Sequence, residues 1–382
     1  MTTPIPDLGP HVGTVADDFL QSDDAIARGI ARQVKQRKTV REGRPIMLGS
    51  KALCLALTPD GRSAFVGDAR HQLRRVDLAS GAIGTVFNGH GGPVTCVQTI
   101  CDAHGEAKTV LTGSWDNTAR WWDAQTGQLI RTFSGHDGYV RCLIAFPNEN
   151  TLYTGSMDGT LRVWDMETGT CRRSVVPHPQ QLGLSALAYD PATDSFFLAF
   201  SAPEIIQFKR ETLTVERLLE GHQTNVHDLV LGDVGDETLW SVSSDKTAKR
   251  WDLFRHTCDA TLEHPDFVQA VVPVHMPDGT MLIATGARDE AIRFWDPVTD
   301  QCVHRITSHF DAITALVVDT PRQRLWSASL DGTLRQWDLT SIIPQRASDQ
   351  AATQPVIPAR RSKLAMSAEE EAELAELLSD DE

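Results

Sequence analysis

The stretch SGHDGYVRCLIAFPNENTLYTGSMDGTLRVWD, residues 134–165, is one complete copy of a motif that recurs along this 382-residue chain. It opens with Gly-His, passes through two apolar runs and a turn Asp, and closes on Trp-Asp. Trp-Asp also stands at residues 122–123, 251–252, 295–296 and 337–338, so the successive Asp-to-Asp steps are 42, 87, 44 and 42 residues. A period of about 40 to 45 residues is typical of small units that bury their apolar faces only by stacking on one another. The repeat therefore decides the fold.

Two further copies of the motif are degenerate. One ends in Val76-Asp77, 46 residues before the first Trp-Asp, and the other ends in Phe208-Lys209, in the middle of the 87-residue step. Their apolar runs survive, so the sequence predicts seven copies. We interpret the degeneration as drift, with partner binding at these copies as the alternative.

Each copy has the pattern of four short strands. Runs such as VRCLIAF and LYTGS are rich in β-branched and aliphatic residues, and a third run ends at Trp-Asp. A turn and a more polar fourth run follow, without a helical period. Each copy therefore predicts one antiparallel sheet, and the fold class is all-β. Residues 45–48 are expected to complete the seventh sheet, because joining the chain ends removes exposed sheet edges.

This pattern resembles the WD-repeat β-propeller family across residues 44–340. The resemblance implies a seven-bladed WD-repeat β-propeller with short helical N- and C-terminal extensions. In that family a His, a Ser or Thr, an Asp and a Trp form a hydrogen-bonded tetrad inside each blade. The matching residues here are His90, Thr112, Asp116 and Trp122; His136, Thr154, Asp158 and Trp164; His222, Ser241, Asp245 and Trp251; His264, Thr285, Asp289 and Trp295; and His309, Ser327, Asp331 and Trp337.

The repeated His, hydroxyl and Asp side chains superficially suggest nucleophilic catalysis. Five copies at one spacing argue for architecture instead, because catalysis needs a single site. The sequence also has no nucleophile elbow, no phosphate-binding glycine loop and no metal-ligand spacing. We therefore expect a protein without catalytic residues, metal or cofactor.

Two positions in each copy are expected on one side of the ring, namely the residue before the turn Asp and the residue before the opening strand. Several are large residues of the types enriched at binding hot spots. We predict that partner proteins or peptides bind at Trp115, Tyr139, Met157, Phe267 and Arg288. The alternative is that these side chains only pack against one another around the rim.

A basic residue stands two positions before the Trp position in six of the seven copies. A ring of cations suggests polyanion binding, but pairing of each cation with a carboxylate of its own blade is the favoured interpretation. The residues are Arg74, Arg120, Arg162, Lys249, Arg293 and Arg335.

The formal net charge is −15, and the last 16 residues hold eight acids and no base. A nucleic-acid surface needs a basic face, so direct DNA binding is not expected and RNA contact is disfavoured. The chain has no apolar run long enough for a membrane span, so membrane insertion is not expected. Seven cysteines without a CxxC pair predict reduced, small, buried packing residues and an intracellular location, in the cytoplasm or the nucleus.

The segments outside the repeats are predicted to be an N-terminal extension (1–43), a linker (341–366) and an acidic tail (367–382). The extension has an amphipathic pattern, with Ile26, Ile30 and Val34 on one helix face, followed by KQRK. Docking on the propeller, partner binding, and nuclear import or RNA contact all stay open for it. The linker is expected to be flexible, and the tail to form a short acidic helix that binds a partner or only solubilises the chain.

Together these features favour a non-enzymatic interaction scaffold or adaptor that recruits partner proteins on the propeller face, with the terminal helices as further sites. One alternative is a ubiquitin-pathway substrate adaptor or ubiquitin-binding adaptor. Another is a subunit of an RNA-processing or ribosome-assembly particle.

Overall fold

The computed structural model describes residues 42–232 and 236–341. Over these residues the chain forms seven four-stranded antiparallel sheets, here called blades 1 to 7 in chain order. The predicted N-terminal helix, the linker from residue 342 and the acidic tail lie outside the described residues.

The strands of blades 1 to 4 follow the chain from the inside of each blade outwards. Blade 1 contains β2 (Ala52–Leu57), β3 (Ser63–Asp68), β4 (Leu73–Asp77) and β5 (Ile83–Phe87). Blade 2 contains β6 (Val94–Cys101), β7 (Ala107–Ser114), β8 (Thr118–Asp123) and β9 (Leu129–Ser134). Blade 3 contains β10 (Val140–Phe146), β11 (Thr151–Ser156), β12 (Leu161–Asp165) and β13 (Cys171–Val175). Blade 4 contains β14 (Leu184–Asp190), β15 (Ser195–Phe200), β16 (Ile205–Lys209) and β17 (Thr214–Leu219).

The last three blades follow the same order. Blade 5 contains β18 (Val226–Leu231), β19 (Thr238–Ser243), β20 (Thr247–Asp252) and β21 (Thr257–Glu263). Blade 6 contains β22 (Val268–His275), β23 (Met281–Ala287), β24 (Ile292–Asp296) and β25 (Gln301–Ile306). Blade 7 contains β26 (Ile313–Asp319), β27 (Arg324–Ser329) and β28 (Thr333–Asp338). Short 3-10 helices cover Pro147–Glu149, Thr320–Arg322 and Leu339–Ser341.

Blade 7 is completed by the start of the described chain. Strand β1 (Ile46–Met47) pairs antiparallel with β28, placing Ile46 opposite Leu334 and Met47 opposite Thr333. The first strands of consecutive blades are neighbours, and β26 of blade 7 returns to β2 of blade 1. The blades therefore close into a ring whose innermost strands surround a central channel. The prediction of an all-β, seven-bladed propeller is confirmed.

The core consists of apolar clusters between neighbouring blades, and each blade interface has its own cluster. Trp122 of blade 2, for example, packs in one cluster with Phe65 and Phe87 of blade 1. Because each sheet buries both faces against its neighbours, a single blade has no core of its own. Blade stacking therefore supplies the apolar burial that stabilises the ring.

The cysteine prediction holds for only some of the thiols. All seven cysteines are free, and Cys54 and Cys142, on innermost strands, are buried as expected. Cys171 and Cys302 are exposed, so the expectation that they are buried is wrong. They lie on β13 and β25, the outermost strands of their blades, where one sheet edge meets solvent.

Candidate protein-binding face

A hydrogen-bonded network joins the loop before the innermost strand of blade 2 to the turn after its second strand. His90 Nδ1 lies 2.8 Å from Asp116 Oδ2, and His90 Nε2 lies 2.7 Å from Thr112 Oγ1. Trp122 Nε1 donates to the same hydroxyl at 2.9 Å. The equivalent contacts in blades 3, 5 and 7 all lie between 2.6 and 2.9 Å.

The Asp of this network is ionised. Burial alone would raise the pKa of Asp116, but hydrogen bonds from His90, Thr118 and the Gly91 N–H outweigh burial and lower it below its usual value. Desolvation lowers the pKa of His90, which favours the neutral imidazole. The four network side chains therefore fix the loop against the turn, and the Thr112 hydroxyl that His90 and Trp122 contact is fully buried.

Blade 6 departs from the predicted tetrad. His264 Nε2 still lies 2.8 Å from Thr285 Oγ1, but its Nδ1 faces the Leu262 carbonyl at 3.1 Å instead of Asp289. Asp289 is bound by Arg293 through two guanidinium nitrogens. The predicted four-residue network must be corrected here to a triad of His264, Thr285 and Trp295.

The local sequence explains this difference in blade 6. In the other four networks the N–H of the residue after the His and a Thr two residues after the Asp both donate to the carboxylate. In blade 6 these positions hold Pro265, which has no N–H, and Ala291, which has no hydroxyl. Asp289 has lost these donors and is satisfied by Arg293 instead.

Pairing of the periodic cations with carboxylates occurs in some blades only. Arg74 lies 3.0 Å from Asp68, Arg120 lies 3.8 Å from Asp116, and Arg293 binds Asp289. By contrast, Lys249 donates to a hydroxyl. Among the contacts of Arg335, its Nη1 donates to the Glu42 carbonyl at 2.7 Å.

In every blade the two positions predicted for binding are joined by a backbone hydrogen bond. The N–H of the turn residue donates to the carbonyl of the residue before the innermost strand. All these pairs stand at the same end of their blades, and we call this side of the ring the upper face. In chain order the pairs are Lys51–Ala69, Pro93–Trp115, Tyr139–Met157, Gly183–Ser201, Asn225–Ser244, Phe267–Arg288 and Ala312–Leu330.

The five predicted binding residues form two groups on the upper face. Trp115 and Tyr139 stack with ring centroids 5.0 Å apart and an interplanar angle of 15°. They remain 46% and 45% exposed, and Met157, paired with Tyr139, is 39% exposed. We call these three residues the aromatic patch. In blade 6, across the ring, the Arg288 guanidinium lies 5.6 Å from the ring centroid of Phe267. The side chains pack on one another and still present an apolar surface.

The central channel below the upper face is lined by one bulge residue from each innermost strand. The strand register skips one residue near the start of β2, β6, β10, β14, β18, β22 and β26. The bulge residues are Leu53, Thr95, Arg141, Ser185, His227, Gln269 and Thr314. They line a cavity of about 630 Å³ that Trp115 and Leu330 also border.

Arg141 is a channel residue that sequence reasoning missed. The signal was present, because the second residue of each opening run is polar in six of seven copies, within otherwise apolar runs. The hydroxyl groups of Thr95, Ser185 and Thr314 donate hydrogen bonds to backbone carbonyl oxygens of the next blade, with oxygen–oxygen distances of 2.6, 2.5 and 3.0 Å. Arg141 is the one charged member of the set.

Two further titratable groups lie in the channel wall. Desolvation lowers the pKa of His227 to about 4, and its Nε2 lies 2.6 Å from Ser244 Oγ. Desolvation raises the pKa of Asp228 to about 6, although its carboxylate accepts the N–H groups of Leu229 and Val271 at 2.9 and 3.2 Å. His227 is therefore neutral at pH 7, and Asp228 is held less readily in its charged form than an exposed carboxylate.

Neither a metal site nor a membrane span is found in the part of the chain that the structure describes. Among residues 42–232 and 236–341 there is no group of three or more His, Cys, Asp or Glu side chains arranged to hold a metal ion. Over the same residues no helix has the length and apolar character needed to cross a membrane.

Comparison with known proteins adds independent findings. A family model described as WD domain, G-beta repeat matches residues 81–123, 127–165, 256–296 and 300–338. The chain is 32% identical over 374 residues to an uncharacterized WD repeat-containing protein of Schizosaccharomyces pombe, an alignment that covers 95% of this chain and 98% of that relative.

More distant relatives share part of their length with this chain. The ribosome biogenesis protein YTM1 of Scheffersomyces stipitis is 22% identical over 285 residues, which cover 68% of this chain and 56% of that protein. Periodic tryptophan protein 2 of Arabidopsis thaliana is 29% identical over 245 residues, which cover 63% of this chain and 26% of that protein. The chain thus spans about half of the first relative's length and about a quarter of the second's.

Proposed function

The chain belongs to the WD-repeat family, and from that premise we propose that it is a non-enzymatic scaffold that recruits a partner protein on the upper face of the propeller. WD-repeat proteins act as interaction scaffolds, and the proposal assigns this role here to particular residues. The aromatic patch is its centre, and Phe267 with Arg288 is a second contact region.

The observation that carries the proposal is the stacked, half-exposed pair Trp115 and Tyr139. Binding energy at protein interfaces concentrates in a few aromatic and Arg residues that meet in well-packed positions. The backbone bonds and the tetrad networks fix the loops beneath these rings, so little conformational entropy is lost on binding. A rigid apolar surface at the mouth of a channel is suited to holding a peptide segment or a loop.

Affinity purification with variants of the full chain tests this proposal. Trp115→Ala combined with Tyr139→Ala is expected to keep the fold and to lose the partners recovered with wild type. The matched control is Val215→Ala with Leu218→Ala, which truncates two apolar residues of similar exposure on the outer strand β17. Equal partner recovery by both double variants would remove the aromatic patch from consideration.

Arg288→Ala with Phe267→Ala examines the second contact region in the same assay. Loss of a subset of partners is expected if the region contributes to binding. An unchanged set of partners would restrict the proposed site to the aromatic patch.

A second candidate function is that of a subunit of a ribosome-assembly particle. It is supported by the relatives named as ribosome biogenesis proteins, which match about two thirds of this chain. In sucrose gradients of cell extract, the chain is then expected to co-sediment with pre-ribosomal particles. Sedimentation only as a small free protein or complex would count against this candidate. An intracellular location is part of both proposals, in keeping with seven free thiols.

A further inference from the structure

We propose that the mouth of the central channel binds a carboxylate side chain of a partner peptide, which pairs with Arg141 while an adjacent apolar side chain packs on Trp115 and Tyr139. This inference rests on the proposed scaffold function and specifies the chemistry of its partner.

The position of Arg141 is the first support. It occupies the bulge of β10, directly after Val140 and two residues after Tyr139, and it borders the same cavity as Trp115. Burial raises the pKa of the thiols Cys54 and Cys142 and lowers that of the His227 imidazole, and the Arg141 charge is a smaller contribution at all three groups. These three groups lie on blades 1, 3 and 5, so the positive charge of Arg141 acts on groups at several sides of the channel. A ligand entering the channel from the aromatic patch therefore meets this guanidinium.

The absence of an internal partner is the second support. Within residues 42–232 and 236–341, no carboxylate lies at ion-pair distance from Arg141, Lys51 or Arg288. The upper-face pairs and the channel bulge residues together contain these three cations and no Asp or Glu. These two sets of positions thus carry three positive charges in a protein whose net charge is −15.

Asp228 is a carboxylate in the wall of the same cavity, but it does not lie at ion-pair distance from Arg141. Its two carboxylate oxygens accept hydrogen bonds from the backbone N–H groups of Leu229 and Val271. Because Asp228 forms no ion pair with Arg141, the guanidinium is available to an incoming anion.

A carboxylate fits this arrangement better than a phosphate or an RNA strand. One guanidinium balances the single charge of one carboxylate, whereas a phosphoryl group carries a charge of about −1.5 to −2 at pH 7. A nucleic acid needs a row of cations along its backbone, whereas Lys51 and Arg288 stand on blades 1 and 6, away from Arg141 on blade 3. The partly desolvated channel strengthens a single charge pair relative to one in water. The stacked rings beside it supply the apolar contact that a peptide side chain offers and a phosphate does not.

The first experiment selects ligands for the purified full chain from a random peptide display library. The selected peptides are expected to share an Asp or Glu close to an apolar residue. For the best peptide, fluorescence anisotropy then measures the affinity before and after replacing its acidic residue by the corresponding amide. On wild-type protein this replacement is expected to weaken binding on the order of tenfold or more.

Variants of Arg141 assign that effect to the channel. With Arg141→Gln the acidic peptide and its amide form should bind with nearly equal, weak affinity, whereas Arg141→Lys should retain part of the preference for the acid. Arg255→Gln is the matched control, because its side chain is 77% exposed on another part of the surface. Thermal unfolding of each variant checks that affinity, rather than folding, has changed.

The outcomes separate this inference from the scaffold proposal. Peptides that need Trp115 and Tyr139 but bind Arg141→Gln as tightly as wild type would overturn the carboxylate inference and leave the scaffold proposal standing. Peptides unaffected by Trp115→Ala with Tyr139→Ala, or no enriched peptide at all, would count against both. Single-stranded RNA that binds wild type and loses binding in Arg141→Gln, in place of peptides, would also overturn the inference.

Discussion

The indole of Trp115 and the phenol of Tyr139 belong to different blades, yet their rings stack 5.0 Å apart with an interplanar angle of 15°. Trp115 follows β7 of blade 2, whereas Tyr139 precedes β10 of blade 3. The apolar surface of the aromatic patch therefore exists only when two neighbouring repeats are stacked in the ring. The same contact is expected to contribute to the stability of the interface between the two blades.

A double-mutant cycle measures this contribution. Because both rings are about half exposed, each single change to Ala is expected to cost about 1 kcal/mol or less in the free energy of unfolding. The coupling between the two positions is expected to be about 0.5–1 kcal/mol, as for other aromatic pairs. Denaturant unfolding of wild type, both single variants and the double variant gives this value. Strictly additive effects would mean that the stacked geometry does not stabilise the protein.

The blade 6 exception predicts unequal roles for two equivalent arginines. Removing Arg293 leaves Asp289 without its main partner, so Arg293→Ala is expected to cost roughly 2–4 kcal/mol. Removing Arg120 leaves Asp116 bound by His90, Thr118 and Gly91, so Arg120→Ala is expected to cost less than about 1 kcal/mol. Denaturant midpoints compare the two variants, and equal losses would contradict the described rearrangement in blade 6.

The closure of the ring depends on a glycine under the Trp of blade 7. Gly43 has φ +68°, and a Cβ there would lie 2.6 Å from the Trp337 ring. Gly43→Ala is therefore expected to cost about 1–2 kcal/mol for the left-handed backbone and a further ~1–3 kcal/mol for the clash.

Gly49 is the matched control for the closure, since it has φ +71° and a Cβ added there would meet no atom within 4 Å. Gly49→Ala should show only the backbone cost of about 1–2 kcal/mol. Thermal unfolding of both variants separates the two effects. Similar losses for both glycines would mean that the segment before β1 does not pack on Trp337.

Asp228 predicts a pH dependence of stability. Its pKa is about 6 in the folded protein against a usual 3.8, so the folded state holds its proton between these values while the unfolded state has lost it. Asp228 should therefore contribute a loss of stability as the pH rises from about 4 through 6. The variant Asp228→Ala lacks the titrating group and should not show this loss of stability. Alanine is also the residue at the equivalent position in blades 4, 6 and 7.

Unfolding free energies at pH 4.5 and 7.5 test this prediction. From pH 4.5 to pH 7.5, the unfolding free energy of the variant minus that of wild type should rise by on the order of 1–3 kcal/mol. A pH-independent effect of the substitution on stability does not change this rise. Titrations common to both proteins cancel in the comparison. A difference that stays constant, or that shrinks towards pH 7.5, would show that Asp228 ionises normally in the fold.

The cysteines should differ sharply in reactivity. Burial raises the pKa of Cys54 and Cys142 to about 12, whereas Cys171 is exposed. At pH 7 a maleimide is therefore expected to label Cys171 in the native protein and to reach Cys54 and Cys142 only after unfolding. Peptide mass spectrometry gives the extent at each position, and equal labelling of all three would place the innermost strands in contact with solvent.

The amino-acid sequence by itself determined the number of blades, their strands and four of the five hydrogen-bonded tetrads. These features are local, because each depends on residues within one period and recurs at a fixed spacing such as that from Asp116 to Trp122. Even the blade 6 exception has a local cause in Pro265 and Ala291, although its consequence, the bond from Arg293 to Asp289, is evident only in the folded structure.

The tertiary structure alone decided which residues of different repeats meet. Trp115 stacks on Tyr139, and Arg141 reaches the channel, because seven sheets close into a ring and bring neighbouring innermost strands together. Phe267 and Arg288 stand apart from this group for the same reason. A repeat period specifies the interior of each unit, but contacts between units and the charge around the common axis arise only from their packing.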